Sequence, residues 1–174
     1  ATAEEAQAET KLMLETYVDV CENYLAIPVV SGVKSESEKF AGADKTFTNE
    51  TLMYDGKALQ INTSHDFGDN FGKAFDINFT NKEGKEEAVY TTSWGFTTRA
   101  IGGMIMVHSD DRGLVIPPRI APTQVMIIPI AQHKEGVLDK AYDLKESLSK
   151  NMSVKVDASD KQPGWKFSEA EMKG

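Results

Sequence analysis

The chain has 174 residues, 40% of them hydrophobic and 26% charged, with a formal charge of −8. That composition suits one buried core, or one core and part of a second, and argues against a chain that coats nucleic acid through bulk positive charge. The single cysteine, Cys21, excludes an internal disulfide and any multi-cysteine zinc site.

The acidic excess sits at the front. Residues 1–40 carry eight acidic and three basic side chains, whereas 123–174 carry eight of each, so a local RNA-facing patch is compatible with the charge. The longest apolar run, near Gln124–Ala131, is far short of the roughly 20 residues that span a bilayer. Ala1–Glu15 has neither the charged start nor the apolar stretch of a signal peptide. A cytoplasmic protein without a membrane partner is expected, and the sequons at Asn49, Asn62, Asn78 and Asn151 are then irrelevant. The chain opens on Ala1 and its last residues lie in an apparent helix, so both ends read as cut from something longer.

Thr2 and Glu5 have capping-box spacing, and Ala6, Met13, Tyr17, Val20, Cys21 and Tyr24 follow at three- and four-residue steps. An amphipathic helix ending before Pro28 is expected, with Cys21 packed on its apolar face. Asp55-Gly56 then separates Thr46–Tyr54 from Lys57–Asn62, a hairpin signal because glycine accepts positive φ without strain. A second pair of strands, Ala74–Phe79 and Ala88–Trp94, flanks the polar stretch Thr80–Glu87, giving four antiparallel strands. Thr97–His108 reads as an apolar helix. Its internal Gly102-Gly103 costs about 1 kcal/mol per glycine relative to alanine, which points to close approach of another element.

Pro117, Pro118 and Pro122 make 117–123 a semi-rigid connector between two domains, 1–116 and 124–174. Beyond it, Gln124–Ile130 reads as a strand, Glu135–Lys150 as a helix, Ser153–Asp157 as a strand and Phe167–Lys173 as a helix start, with Ser168 and Glu171 at capping-box spacing. This is βαβα order, the start of a small α/β domain. His65-Asp66 with Asp69, and His108 with Asp110 and Asp111, bring metal-ligand residue types together. No zinc-type spacing occurs, and solvated loop acids are the preferred reading. The Gly102-Gly103 pair lacks the spacing of a dinucleotide fingerprint.

A run of strings carries a family signature: Lys39-Phe40-Ala41-Gly42-Ala43, Gly56-Lys57-Ala58-Leu59-Gln60, Thr63-Ser64-His65, and Thr92-Ser93-Trp94-Gly95-Phe96-Thr97-Thr98-Arg99. Met104–His108, Gly113–Pro118 and Pro163-Gly164-Trp165-Lys166-Phe167 continue it. In content and order these resemble prolyl-tRNA synthetases of the archaeal and eukaryotic type over nearly the whole chain. The resemblance implies an α+β fold: the later part of a class II antiparallel sheet with flanking helices, including the third class II motif, in 1–116, then the start of an α/β anticodon-binding domain in 124–174.

The implied activity is proline–tRNA ligation, in which proline and ATP form prolyl-adenylate and the prolyl group passes to tRNA-Pro. Arg99 resembles the motif-three arginine that holds the nucleotide, a task suited to a permanently charged planar donor. Gln60, Thr63 and Thr97 resemble the other ATP contacts, with Gln60 also associated with Mg2+, while Phe40, His65, Ser93, Trp94 and Gly95 resemble the proline pocket. No tightly bound cofactor is implied for this segment, and the parent is expected to be a homodimer.

Gln60 and Thr63 are three apart, so they can share one ligand only if the strand bends between them. Asn62, where the family usually has glycine, is expected at that bend in the left-handed region. Ser109 likewise replaces a family glycine. The family's first two motifs would precede Ala1, so the isolated piece is expected to be inactive. A synthetase-derived module that binds tRNA or protein without chemistry is the alternative reading, and a metal-dependent enzyme built on the His/Asp clusters is a third.

Overall fold

The computed structural model describes residues 2–174, and the chain divides into two compact units, Ala1–Val107 and His108–Gly174. Helix α1 (Ala3–Asp19) begins with the expected capping box: the Glu5 N–H donates to Thr2 Oγ1 at 3.2 Å, and the Thr2 N–H to the Glu5 carboxylate at 2.9 Å. Two N-terminal donors that the helix itself cannot satisfy are thus paired. The buried stripe runs Ala6, Thr10, Leu14, Tyr17 and then Cys21, rather than through Met13 and Tyr24, which is exposed. Thr10 is tolerated there because its hydroxyl donates to the Ala6 carbonyl at 2.8 Å. Val20–Tyr24 form a π-turn, closed by the Ile27 N–H on the Cys21 carbonyl at 2.8 Å, with Ala26 left-handed at φ 53, ahead of Pro28.

Strand β1 (Val30–Val33) is an element that the sequence pattern did not reveal. Strands β2 (Lys45–Leu52) and β3 (Ala58–Asp66) form the expected hairpin. Its turn is closed by the Met53 N–H on the Lys57 carbonyl at 2.9 Å, with Gly56 at φ 80.

The following region departs from the expected pair of long strands. Asn70–Ala74 is a short helix, α2, and only β4 (Asn78–Thr80) and β5 (Glu86–Ala88) pair, as a separate two-stranded ribbon. The ribbon's loop is organised by Asn81 Oδ1, which accepts the N–H groups of Glu83 and Lys85, both at 2.9 Å. Strand β6 (Thr92–Phe96) breaks away from that ribbon and joins the main sheet beside β3, giving the order β1-β2-β3-β6. Ala88–Trp94 therefore divides between two sheets instead of forming one strand.

Helix α3 (Arg99–His108) buries Ala100, Gly103 and Met104. Ala100 sits in a core with Cys21 and Ile61, flanked by Leu59 and Phe96. The two glycines have different reasons to be there. A Cβ on Gly103 would lie 2.8 Å from Ile61 Cδ1 and 3.2 Å from Leu59 Cδ2, whereas one on Gly102 would meet nothing within 4 Å. Gly102→Ala is accordingly expected to stabilise the chain by about 0.5–1 kcal/mol through helix propensity. Gly103→Ala should forfeit that gain to overpacking. Urea unfolding of the two variants checks this, and equal shifts would mean that Gly103 is not a packing position.

In the second unit, β7 (Val125–Ile127) and β8 (Val154–Val156) pair in parallel, with α4 (Val137–Leu148) as the connection between them. The strand expected over Gln124–Ile130 is shorter because its Pro129 cannot donate to a ladder. Helix α5 (Pro163–Lys173) begins earlier than expected, with proline in its first turn, and Ser168 and Glu171 lie within it instead of capping it. Lys166 is 3% exposed, and its ammonium donates to the Asp157 carbonyl at 2.9 Å. Among the described residues no helix is long and apolar enough to cross a membrane.

Candidate functional site

The strand pairing decides which side chains share a face. Asn49 pairs with Asn62, but Glu50 pairs with Gln60, so Ile61 is an extra residue, a β-bulge in β3. The bulge restores the alternation that a three-residue spacing breaks. Gln60, Thr63 and His65 consequently lie on one face, with Glu50, Thr48 and Thr46 opposite them on β2. Across β6, Ser93 pairs with His65 and Gly95 with Thr63, so both belong to that face.

The irregularity that brings Gln60 and Thr63 to one face is this bulge, not a left-handed Asn62. Among the described residues the non-glycine ones at positive φ are Ala26, Asp76 and Ala131. Asn62 is 3% exposed and points to the other face of the sheet, where α1 packs. There it accepts a hydrogen bond from Asn49 Nδ2 at 2.9 Å, and its own Nδ2 lies 3.8 Å from Cys21 Sγ. Asn49 also donates to the Leu14 carbonyl, and Ser64 Oγ donates to the Thr10 carbonyl at 2.8 Å. A buried polar seam thus ties the bulged strand to the helix behind it. Burial pushes the Cys21 thiol in this seam up to about 11, as suits a packed and unreactive cysteine.

At the end of the face that carries His65, the imidazole lies within a group of rings. Its centroid is 5.2 Å from that of Phe40 and 5.7 Å from that of Phe67, which stacks on it at 11°. Phe40 and Phe67 themselves meet edge-on at 5.6 Å. His65 Nδ1 is 3.0 Å from Thr46 Oγ1, which also accepts the Phe40 N–H at 3.0 Å. Burial, and secondarily the Lys34 charge, hold the His65 imidazole below its ordinary pKa, which favours the neutral ring.

Arg99 lies at the start of α3, exposed, with Nη1 donating to the Gln60 carbonyl at 3.4 Å. Its backbone N–H is accepted by Thr97 Oγ1 at 3.3 Å, so Thr97 shapes the helix start that aims the guanidinium. The same sheet face opens onto a groove of about 380 Å³ bordered by Lys34, Glu38, Thr48 and Glu50.

Trp94 stands apart from the other sequence-derived site residues. It pairs with Ser64, so its indole projects from the opposite face to His65 and is 44% exposed. Its side chain therefore does not wall the same pocket as Phe40 and His65. Among the described residues no group of three or more His, Cys, Asp or Glu side chains is placed to hold a metal ion. The local reasons are visible: Asp66 Oδ1 accepts the Gly68 N–H at 3.0 Å, Asp69 pairs with Lys73 at 2.7 Å, and Asp110 Oδ1 accepts the Arg112 N–H at 2.8 Å. Ser109 Oγ accepts the Val115 N–H at 3.3 Å.

Thr46, Glu50 and Phe67 join this face without a signal quoted from the sequence above. Phe67 is legible there, since it follows His65 by two residues and continues the same alternating face. Thr46 and Glu50 are not, because only the register brings them opposite His65 and Gln60.

Residues 124–174 match the family model of the anticodon binding domain. Over all 174 residues the chain is 66% identical to a proline–tRNA ligase of Ruminiclostridium cellulolyticum and 63% identical to one of Agathobacter rectalis. It spans 36% of the length of each of these curated relatives. A prolyl-tRNA synthetase of Cryptosporidium parvum, solved in complex with L-proline and AMP, matches 100% of this chain and 38% of its own with a TM-score of 0.94 and 43% identity.

Proposed function

The chain belongs to the prolyl-tRNA synthetase family, and on that premise we propose that the whole protein is a cytoplasmic, homodimeric proline–tRNA ligase. One observation carries this reading: the 66% identity to such a ligase covers all 174 residues, and therefore includes the strand face bearing Gln60, Thr63, His65, Ser93 and Gly95. In the reaction, the proline carboxylate attacks the α-phosphorus of ATP and pyrophosphate leaves. A hydroxyl of the terminal adenosine of tRNA-Pro then attacks the prolyl carbonyl of the adenylate, and AMP leaves.

Residues 1–116 are assigned to the catalytic domain, 117–123 to a connector and 124–174 to tRNA binding. Gln60, Thr63, Thr97 and Arg99 are assigned to ATP. Arg99 supplies permanent positive charge for the phosphates, and the Gln60 carbonyl helps to orient it at 3.4 Å. Phe40, His65, Ser93 and Gly95 are assigned to proline, with Trp94 contributing main chain rather than indole to that side. Gln60 and the Glu50 carboxylate that faces it across the strands offer the hard oxygen donors that Mg2+ takes alongside substrate phosphates. The ion would neutralise charge on the departing pyrophosphate.

Proline-dependent ATP–pyrophosphate exchange by the complete protein tests the reading. Exchange no faster with proline than without it would overturn it. Within that assay, Phe40→Ala should raise the proline KM by about tenfold or more, because a small ring is gripped only by packed walls. The ATP KM should be unmoved. Equal rises for both substrates would mean that the pocket had come apart instead.

A further inference from the structure

A buried hydroxyl has to place its proton as well as its lone pairs. Thr46 is 1% exposed, and its Oγ1 has two partners, the Phe40 N–H and His65 Nδ1, each at 3.0 Å. A backbone N–H can only donate, so toward Phe40 the oxygen is the acceptor. The one remaining buried partner for the Thr46 proton is then the lone pair of His65 Nδ1. The reverse arrangement, Nδ1–H donating to Oγ1, would leave the Thr46 O–H without an acceptor.

We infer that Thr46 is a positioning residue for the imino-acid end of the site: it holds His65 as the neutral tautomer with its proton on Nε2. The ring then offers one N–H donor to an acceptor oxygen of the bound imino acid. Three further observations agree. Nε2 has no hydrogen-bond partner among the described residues. Phe40 at 5.2 Å and Phe67 stacked at 5.7 Å restrict rotation of the ring. Burial and Lys34 disfavour the doubly protonated ring, and such a ring would also displace the Thr46 proton. The identity of the ligand rests on the function proposed above; the tautomer does not.

Two measurements separate these parts. In the complete protein labelled with 15N-histidine, with the His65 signals identified by their loss in His65→Asn, long-range proton–nitrogen correlation should show Nδ1 unprotonated and Nε2 protonated. Thr46→Ser should keep that pattern, and Thr46→Val should replace it with a mixture of forms. An Nδ1–H tautomer in the parent chain overturns the inference, whether or not the valine variant folds.

In the complete enzyme, Thr46→Val should raise the proline KM by about tenfold, the scale of one neutral hydrogen bond. The ATP KM should stay within about twofold, and Thr46→Ser should behave as the parent. An unchanged proline KM in Thr46→Val also overturns the inference. If the enzyme shows no proline-dependent exchange at all, the function reading has failed, and the tautomer measurement alone decides what Thr46 does to His65.

Discussion

Arg99→Ala in the complete enzyme is expected to slow proline-dependent pyrophosphate exchange by about 10²–10³, the usual loss when one preorganised donor to developing charge is removed. Two features make Arg99 the residue to expect this of. Its guanidinium is exposed at the first turn of α3, held within the chain by a long 3.4 Å bond to the Gln60 carbonyl, so its donors are free for a ligand. Its backbone is fixed by Thr97 Oγ1 at 3.3 Å, so the side chain starts from a defined place. Removing an exposed side chain with so little intramolecular contact should leave the unfolding free energy in urea within about 0.5 kcal/mol of the parent. Arg99→Lys retains the charge but not the planar fork, and should recover only part of the rate. Exchange within a few fold of the parent for the alanine variant, with folding intact, would remove Arg99 from the nucleotide site.

The largest stability effect is expected at Asn49. Its carboxamide accepts from Ser31 Oγ at 2.6 Å and donates to the Leu14 carbonyl at 3.2 Å and to Asn62 Oδ1 at 2.9 Å, all in a residue that is 0% exposed. Asn49→Leu leaves the buried Asn62 oxygen without its donor, at a cost of about 1–3 kcal/mol for that group, and removes the tie to α1 as well. A total loss of about 2–4 kcal/mol in unfolding free energy is expected.

The sharper test is the double variant. With Asn62→Leu added, neither partner is left orphaned, so the combined loss should fall short of the summed single losses by about 1–3 kcal/mol. Additivity within about 0.5 kcal/mol would show that the two amides are not coupled, and that the seam does not anchor the bulge.

The elements legible in the sequence are those whose determining forces are local. The Thr2–Glu5 box, the Asp55-Gly56 turn and the loop around Asn81 depend on hydrogen bonds and allowed φ values within a few residues. The βαβα order beyond residue 123 followed from hydrophobic period in the same way. β1 and the division of Ala88–Trp94 are not legible there, because a short edge strand and a strand that changes sheets are defined by what they pair with. The early start of α5 has a smaller cause: Pro163 at the first turn outweighs the Ser168–Glu171 spacing.

The candidate site divides along the same line. By itself the sequence determined the family, the residue types of the candidate site, and the condition that Gln60 and Thr63 share a face only if the strand bends between them. Only the tertiary structure decided how that bend is made. The extra residue is Ile61, buried beside Cys21 and Ala100, and Asn62 turns inward to meet Asn49 without entering the left-handed region. The pairing that follows puts Glu50 opposite Gln60 and Thr46 opposite His65, and sends Trp94 to the other face. A one-residue change in register moves every later side chain across the sheet. Which side chains meet is therefore set by neighbouring strands and by the helix behind them, while the spacing along a single strand carries only their order.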